Sequence, residues 1–319
     1  MNDSVLTLEV ATRTAQRGGV VAVDLVDPRG ATLPPFTAGA HIDLHLGGGV
    51  VRQYSLMNDP ADRRRYRLGV LLEPNSRGGS AAVHARLVPG AAVTASPPRN
   101  HFPLAPQAGR SILVGGGIGV TPMLAMAHAL HAQDRDFVLH YCTRTADRTP
   151  FLEELSHAPF AANVRLHHDE GRPPNPFRPE RDLAPLTGAV HCYVCGPAGF
   201  MDWVICAAHA LGYPPDRIHR EYFSAEVDTS GAGFEVVAAR SGLTLKVAEG
   251  QSIVAALAAQ GVAVETSCEE GVCGTCLVEV LDGEPDHRDV YLTDAEKRRG
   301  DQMLVCCSRA RSMRLVLDI

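Results

Sequence analysis

Several cysteines near the carboxyl end of the chain have the spacing of ligands to a metal centre. Three lie in one short loop, and an adjacent pair begins 30 residues after the last of them: Cys268, Cys273, Cys276, Cys306 and Cys307. Thiolates bind iron and zinc, so this arrangement predicts a centre with three ligands from the loop and one from the later segment. Gly271 and Gly274 interrupt the loop and allow close approaches that a Cβ atom would block.

The order C-x4-C-x2-C followed by a distant cysteine is the spacing of a plant-type [2Fe–2S] ferredoxin, a carrier of single electrons. Zinc is the alternative, but zinc sites usually pair their cysteines in two C-x2-C knuckles, and this region has one such pair. Neighbours on an extended segment point to opposite faces, so only one residue of the later pair is expected to bind. The Leu-x-Cys context of residues 304–306 resembles that of the late ferredoxin ligand and selects Cys306 over Cys307.

Length and charge limit the classes of protein that the chain can be. Its 319 residues predict two domains, or three small ones. A net charge of −6 argues against a nucleic-acid-binding protein. Residues 231–319 hold 9 Lys and Arg against 14 Asp and Glu, and residues 1–230 hold 21 against 22. An acidic electron carrier suits docking onto a basic partner, and a solvated acidic surface explains the same excess equally well.

The other cysteines and one apolar stretch bear on location. Nine cysteines without a signal peptide predict a reducing cytoplasm. Four cysteines are neither expected cluster ligands nor Cys307. They lie in or beside apolar runs and are expected to be buried thiols: Cys142, Cys192, Cys195 and Cys206. Residues 111–130 lack charged side chains, but Pro122 and four glycines divide them into strand, turn and helix. No membrane span is therefore expected.

The middle of the chain predicts a nucleotide-binding α/β domain. Apolar runs at 111–114, 137–142 and 190–195 predict parallel strands, and helices are expected over 123–131 and 198–211. The glycine-rich turn with Gly116 and Gly117 brings backbone N–H groups to a pyrophosphate, and Thr121 is expected to cap the next helix. Arg144 follows the second strand, where it would meet a phosphate or ribose of the cofactor or lie free on the surface. Residues 167–170 are expected to form a loop.

The first hundred residues predict an antiparallel β-barrel. Short strands are expected at 5–10, 20–26, 41–46 and 66–72, with Gly and Pro turns between them. On a strand, Arg52 and Tyr54 share one face while Ser55 takes the other. A second motif, at the start of a helix that reaches about residue 87, is expected to bind a phosphate. Ser80, its last residue, is expected to be the N-cap of that helix. The residues of this motif are Arg77, Gly78, Gly79 and Ser80.

These motifs together resemble the ferredoxin-NADP reductase superfamily. The segments GGGIGVTPM (115–123) and CGPAGFMD (195–202) resemble its pyridine-nucleotide lobe, and R-x-Y-S (52–55) resembles its flavin signature. The resemblance implies Arg52 near the flavin phosphate, Tyr54 against the flavin and Ser55 near its N5 atom. It also implies Cys195, Gly196 and Pro197 beside the nicotinamide. Phe223 would be the aromatic residue that covers the flavin.

The order of the three parts resembles the phthalate dioxygenase reductase and vanillate demethylase reductase family, as does the tail motif GEPDHRD (283–289). This implies an FMN-binding β-barrel (1–105), an α/β NAD-binding domain (106–224), a flexible small-residue linker (225–232) and an α+β, β-grasp ferredoxin (233–319). FMN rather than FAD is inferred from this domain order alone. The resemblance implies NADH over NADPH. The residues after the second strand are ambiguous, since Arg144 and Arg148 would bind a 2′-phosphate whereas Asp147 would repel one.

The resemblance further implies a reductase that passes electrons from NADH through FMN and the cluster to a Rieske-type oxygenase acting on an aromatic acid. A nicotinamide gives two electrons together and the cluster accepts one at a time, so the flavin must divide them. Two alternatives remain. One is the same chemistry serving a cytochrome P450 or a non-aromatic, quaternary-amine oxygenase, and the other is a non-enzymatic redox sensor. A monomer without nucleic-acid or membrane partners is expected.

Overall fold

The computed structural model describes residues 5–74, 78–170, 173–183, 186 and 188–319. The chain divides into two compact units, Met1–Glu221 and Tyr222–Ile319. Within the described ranges, no helix is both long and apolar enough to cross a bilayer. The finer boundaries expected at residues 105 and 225–232 stay predictions.

An antiparallel sheet occupies the first part of the first unit. Its described strands are β1 (Leu6–Ala15), β2 (Val20–Val26), β3 (Ala40–His45), β4 (Val51–Ser55), β5 (Tyr66–Leu71), β6 (Ala92–Ala95) and β7 (Arg99–Asn100). They pair in the order β4-β3-β6-β1-β2-β5, with β7 beside β3. The two end strands, β4 and β5, contact each other, so the sheet curls into the predicted barrel. Helix α1 (Gly79–Arg86) follows β5.

A parallel sheet forms the rest of the first unit. Its described strands are β8 (Arg110–Gly116), β9 (Asp136–Thr143), β10 (Val164–His168), β11 (Val190–Cys195) and β12 (Ile218–Glu221), in the order β10-β9-β8-β11-β12. The helices are α2 (Val120–Ala132), α3 (Leu152–His157), α4 (Pro179–Asp182) and α5 (Ala198–Ala210). This is the predicted α/β arrangement, in which a ligand binds at the carboxyl ends of the strands.

Two expectations for this sheet are wrong. Strand β10 extends through His167 and His168, which were expected in a loop. Its backbone pairs with β9 up to Thr143, and the buried ring of His167 lies 2.9 Å from that of His140, nitrogen to nitrogen. Ladder pairing and burial thus outweigh the polar character of these residues. Cys206 is exposed on α5, because its position falls on the solvent side of an otherwise apolar helix.

The second unit has the mixed sheet of a β-grasp ferredoxin. Its strands are β13 (Phe234–Ala238), β14 (Leu243–Val247), β15 (Leu277–Asp282), β16 (Pro285–Asp286), β17 (Gln302–Leu304), β18 (Arg309–Ala310) and β19 (Arg314–Leu317). The main sheet has the order β14-β13-β19-β15-β17, and β16 pairs with β18. Helix α6 (Ile253–Ala259) is capped by the Ser252 hydroxyl, which accepts from the Ala255 N–H. Helix α7 (Asp294–Arg299) begins with a reciprocal capping box between Thr293 and Glu296.

The segment expected to be a flexible linker is irregular, but its second half is bonded to the second unit. Arg288 donates to the carbonyls of Asp228 and Ser230 at 2.5 and 2.7 Å. Arg309, which is 1% exposed, donates to the carbonyls of Gly231 and Ala232. We call Arg288 and Arg309 the arginine clamp. Residues 228–232 are therefore held by the ferredoxin unit, which the small-residue composition did not predict.

Candidate functional site

The cysteine loop lies between α6 and β15 and meets the segment after β17. The thiol of Cys268 is in interaction range of those of Cys273 and Cys306, and Cys306 also contacts Cys276. The four predicted ligands thus converge on one place in the second unit. Backbone N–H groups point at two of the sulfurs, from Glu270 to Cys268 at 3.3 Å and from Thr275 to Cys273 at 3.5 Å. Such donors favour the thiolates that bind iron.

The two loop glycines are required by their surroundings. Gly271 and Gly274 have φ angles of 72° and 76°, in the left-handed region. A Cβ on Gly274 would enter the ring of Tyr291, and one on Gly271 would lie 2.5 Å from the Cys307 sulfur. The loop therefore packs closely against Tyr291 and Cys307. A cluster enclosed by backbone requires such close packing, which only glycine permits at these two positions.

Cys307 packs behind the loop. Its sulfur lies 3.9 Å from the Leu304 carbonyl and 3.8 Å from the Ser308 hydroxyl, and it is 1% exposed. Residues 305–307 form a turn rather than the extended segment from which opposite orientations were expected. Cys306 is in interaction range of Cys268 and Cys276 as well as of Cys307, so it is the cysteine of this pair that joins the loop set.

The predicted phosphate site of the barrel brings β4 and α1 together. A Cβ on Gly79 would overlap the aliphatic stem of Arg52, so that side chain lies directly over the start of the helix. The expected N-cap is wrong: Gly78, in the left-handed conformation, holds that position, and the Ser80 hydroxyl instead accepts from the Glu73 N–H at 3.1 Å. The glycines allow Arg52 to pack where a side chain at the helix start would block it. Arg77 lies outside the described residues.

Ser55 has a partner that the sequence did not indicate. Its hydroxyl, at the end of β4, donates to the Glu221 carboxyl at 3.3 Å. Glu221 ends β12 and pairs in register with Cys195, the last residue of β11. Desolvation raises the pKa of Glu221 to about 8. Burial, and then the Glu221 charge, raise the pKa of the Cys195 thiol well above its usual range, so the thiol stays protonated at neutral pH.

The barrel and the parallel sheet therefore meet in a group made of a hydroxyl, a neutral carboxyl and a neutral thiol. Tyr54, adjacent to Ser55, is half-buried, and burial raises its pKa to about 12. It too is uncharged at neutral pH. Such a site presents hydrogen-bond donors without charge, which suits uncharged reacting rings that exchange a hydride. In the sequence, Glu221 stands two residues before Phe223, the residue expected to cover the flavin. That proximity was the one sequence feature that pointed to Glu221 as a site residue.

The glycine-rich turn packs on this group. A Cβ on Gly119 would overlap the Cys195 carbonyl, and one on Gly116 would lie 2.7 Å from the Phe200 ring. Gly117 has a φ of 56° and open space beside it. The turn therefore packs closely on the end of β11, at the carboxyl edge of the sheet. In folds of this type, backbone N–H groups at that position bind a pyrophosphate.

The helices on either side of this turn begin differently from expectation. Gly119 is the N-cap of α2, and the Thr121 hydroxyl donates to the Ile118 carbonyl at 3.1 Å, so the predicted Thr121 cap is wrong. A short 3-10 turn delivers the chain into α2 and makes a side-chain cap unnecessary. Gly196 and Pro197 lead into α5, with Pro197 as N-cap.

Two further residues that were predicted to bind cofactors, Arg144 and Phe223, lie outside this group. Arg144 follows β9 and is exposed at the carboxyl edge of the parallel sheet, its carbonyl accepting from the Glu170 N–H. Phe223 is 40% exposed and belongs to the second unit. The structure thus brings Ser55 and Cys195 together, and it leaves the roles of Arg144 and Phe223 as predictions.

Comparison with known proteins agrees with this geometry. Residues 236–311 match the 2Fe-2S iron-sulfur cluster binding domain. The chain is 48% identical over 302 residues to the vanillate O-demethylase oxidoreductase of Pseudomonas sp. (strain HR199 / DSM 7063), covering 94% of this chain and 95% of that protein.

Two solved structures cover almost the whole chain. Phthalate dioxygenase reductase, described as a modular structure for electron transfer from pyridine nucleotides to [2Fe–2S], matches 99% of this chain and 98% of its own at 40% identity and a TM-score of 0.76. An intact type IV self-sufficient cytochrome P450 monooxygenase matches 99% of this chain at 37% identity and a TM-score of 0.88. This chain spans only 41% of that P450 chain.

These matches confirm the predicted class of oxidoreductase, a flavin- and pyridine-nucleotide-binding reductase with a carboxyl-terminal [2Fe–2S] domain that supplies electrons to an oxygenase. The chain belongs to the family of the vanillate O-demethylase oxidoreductases and phthalate dioxygenase reductases.

Proposed function

We propose that the chain is the reductase component of a two-component Rieske-type system that oxygenates or demethylates an aromatic acid. Its electrons would pass from NADH through FMN to the [2Fe–2S] cluster and then to the oxygenase. The observation that carries this proposal is the uncharged group Ser55–Glu221–Cys195 in the same chain as four converging thiols. One site suits hydride exchange and the other single electrons.

FMN is supported by the phosphate site of the barrel. Arg52 over the Gly79 end of α1 offers a guanidinium and backbone N–H groups to one small anion, such as the terminal phosphate of FMN. When bound there, FMN supplies the conversion between paired and single electrons. Arg77 is proposed as a second cation for that phosphate.

The residues at the meeting of β4, β11 and β12 would orient the two rings and keep charge away from them. With the flavin bound, the neutral Glu221 carboxyl would donate to the Ser55 oxygen, which leaves the one hydroxyl hydrogen of Ser55 for the flavin N5. The Cys195 thiol would lie against the nicotinamide with Gly196 and Pro197. Because the pKa of Glu221 is raised to about 8, its neutral carboxyl keeps the Ser55 hydroxyl in place at pH 7 without adding a negative charge. Phe223 is proposed to cover the flavin until NADH displaces it.

NADH is proposed over NADPH. Arg144, Asp147 and Arg148 are all exposed just after β9, where the adenosine ribose lies in sheets of this type. The Asp147 carboxylate accepts a ribose 2′-hydroxyl and repels a 2′-phosphate. A kcat/KM higher with NADPH than with NADH would contradict this choice.

The identity of the electron acceptor rests on the relatives. Vanillate O-demethylase and phthalate dioxygenase reductases are named for systems acting on aromatic acids, which favours an aromatic client. The match to a self-sufficient P450 favours a haem client as the second candidate. We further propose a cytoplasmic monomer. None of the nine cysteines forms a disulfide, which suits a reducing compartment.

The first experiment is a visible spectrum of the purified protein before and after anaerobic addition of one equivalent of NADH. Flavin and iron–sulfur bands that bleach together are expected. A flavin that bleaches while the cluster does not would contradict the relay, and a colourless zinc protein would contradict the whole proposal.

Reconstitution of the reductase with different oxygenases then distinguishes the two candidate electron acceptors. The reduced protein is mixed with a vanillate demethylase oxygenase, a phthalate dioxygenase oxygenase or a soluble cytochrome P450, and substrate-dependent NADH oxidation is followed. We expect turnover with an aromatic-acid oxygenase. Turnover with the P450 alone would select the second candidate.

A further inference from the structure

A cationic cleft opens on the second unit, away from the residues assigned above. It has a volume of about 600 Å³ and is formed by the turn before β16, the last turn of α7 and the chain after β18. Its charged lining consists of four cations and two acids: Lys297, Arg298, Arg299, Arg311, Glu284 and Asp294. We call these residues the cationic cleft.

The excess of positive charge runs against its surroundings. Residues 231–319 carry 9 basic and 14 acidic side chains, yet four of those nine bases line this one cleft. Positive charge gathered on an otherwise acidic unit creates a local potential opposite to that of the rest of its surface. The helix explains part of this, since cations in a last helical turn offset the helix dipole. It does not explain Arg311, which comes from another segment.

The cations remain available to a ligand. Arg299 lies 3.2 Å from Asp301, and Arg311 lies 3.6 Å from both Glu284 and Asp286. Glu284 and Asp301 are more than half exposed, whereas Asp286 is 25% exposed and also pairs with Arg288. Exposed pairs of this kind contribute little free energy and exchange readily for another carboxylate. Arg298 is exposed. The structure describes every residue of the second unit, and none of the acidic groups there lies within 4.0 Å of the Arg298 guanidinium.

The cleft is joined to the cluster loop through one short segment. The Lys297 ammonium donates to the carbonyl of Asp289 at 2.5 Å. Asp289 packs on Gly271, and the next N–H, that of Val290, donates to the Gly271 carbonyl at 3.1 Å. Gly271 lies between the ligands Cys268 and Cys273. Only the stretch that contains Asp289 and Val290 would therefore separate a protein segment bound in the cleft from the loop that carries the cluster ligands.

We propose that the cationic cleft receives an acidic segment of the electron acceptor, whose carboxylates meet Arg298, Arg299 and Arg311. This inference rests on the proposed function, because it assumes a protein acceptor. It differs from the expectation that an acidic ferredoxin surface docks on a basic partner, since here the reductase supplies the positive side. Charge complementarity of this kind raises association rates and fixes orientation, and salt weakens it.

The direct test measures binding of fluorescein-labelled hexaglutamate to the intact holoprotein at low salt. Arg298→Glu is expected to weaken binding about tenfold, and Arg298→Lys is expected to retain it. The matched control is Lys246→Glu, an exposed cation on β14 outside the cleft, with no expected effect. Equal weakening in both charge reversals would overturn the proposal. Displacement of the peptide by inorganic phosphate as readily as by free hexaglutamate would also overturn it, in favour of a small-anion site.

The second measurement uses the vanillate demethylase oxygenase as acceptor. Arg298→Glu is expected to raise the KM for the oxygenase about tenfold and so lower the ratio of oxygenase-dependent to ferricyanide-dependent NADH oxidation. An unchanged KM would overturn the docking assignment. If the wild type reduces no oxygenase, the proposed function fails, while hexaglutamate binding still decides whether the cleft binds acidic segments. A visible spectrum of each variant checks that the cluster is intact.

Discussion

Replacement of Glu221 by glutamine should change how the stability of the first unit depends on pH. Glu221 ends β12, accepts from the Ser55 hydroxyl at 3.3 Å and has a pKa raised from 4.5 to about 8 by desolvation. The folded chain therefore holds a proton here at pH 7 that the unfolded chain has released. Glutamine has the same shape and stays neutral at every pH.

The sign follows from linkage. Below pH 4.5 the carboxyl is neutral in both states and the raised pKa costs nothing. Between pH 4.5 and 8 only the unfolded chain ionises, so wild-type stability falls as pH rises, by up to 1.36 kcal/mol for each pH unit. The total is roughly 3 kcal/mol once the partial exposure of the side chain is allowed for. Above pH 8 both states are ionised and the difference from Glu221→Gln is constant.

The assay is urea unfolding between pH 5 and 9 at fixed flavin concentration. Trp203 is the only tryptophan of the chain and lies on α5, so its fluorescence reports on the first unit alone. This matters because a chain of two units need not unfold in one step. The control is the same substitution at Glu153, which is exposed. Parallel stability curves for the wild type and Glu221→Gln would refute the assignment of a neutral carboxyl with a raised pKa at this position.

Three further outcomes are expected. Cys306→Ser should lose the visible absorption of the cluster while Cys307→Ser keeps it, and the reverse result would exchange their roles. Gly274→Ala should prevent cluster assembly, because its Cβ would enter the Tyr291 ring; iron content and the visible spectrum measure this, and full cluster occupancy would contradict it. Arg52→Ala should weaken FMN binding about tenfold by removing a charged hydrogen bond, as measured by flavin fluorescence, and unchanged affinity would place the phosphate elsewhere.

The sequence predicted the parts whose signals are local. Strands β2 and β11 begin and end at the predicted residues, and α5 ends one residue earlier than expected. These elements are mostly apolar and have Gly or Pro near their ends, which is the pattern that predicts an element most directly. The cluster loop was found for the same reason, since three of its four cysteines are close together in the chain.

The features that were missed depend on residues far apart in sequence. Glu221 meets Ser55 only because β12 lies beside β11 at the edge facing the barrel, and the two residues are 166 positions apart. The helix starts were misassigned because Ser80 and Thr121 are good caps by type, but glycine turns deliver the chain to α1 and α2. Composition alone does not show which side chain the backbone geometry leaves free to cap.

The arginine clamp decides where the ferredoxin unit can be separated from its neighbour by protein engineering. Arg309 is buried and donates to four carbonyls, two of which, those of Gly231 and Ala232, belong to the irregular segment ahead of β13. A graft that begins at residue 233 would remove both and leave a buried guanidinium with half of its acceptors. A graft that begins at residue 228 keeps them, together with the Asp228 and Ser230 carbonyls that Arg288 holds. The junction for such a graft therefore lies no later than residue 228, inside the segment 225–232 that composition marks as the linker and not at its end.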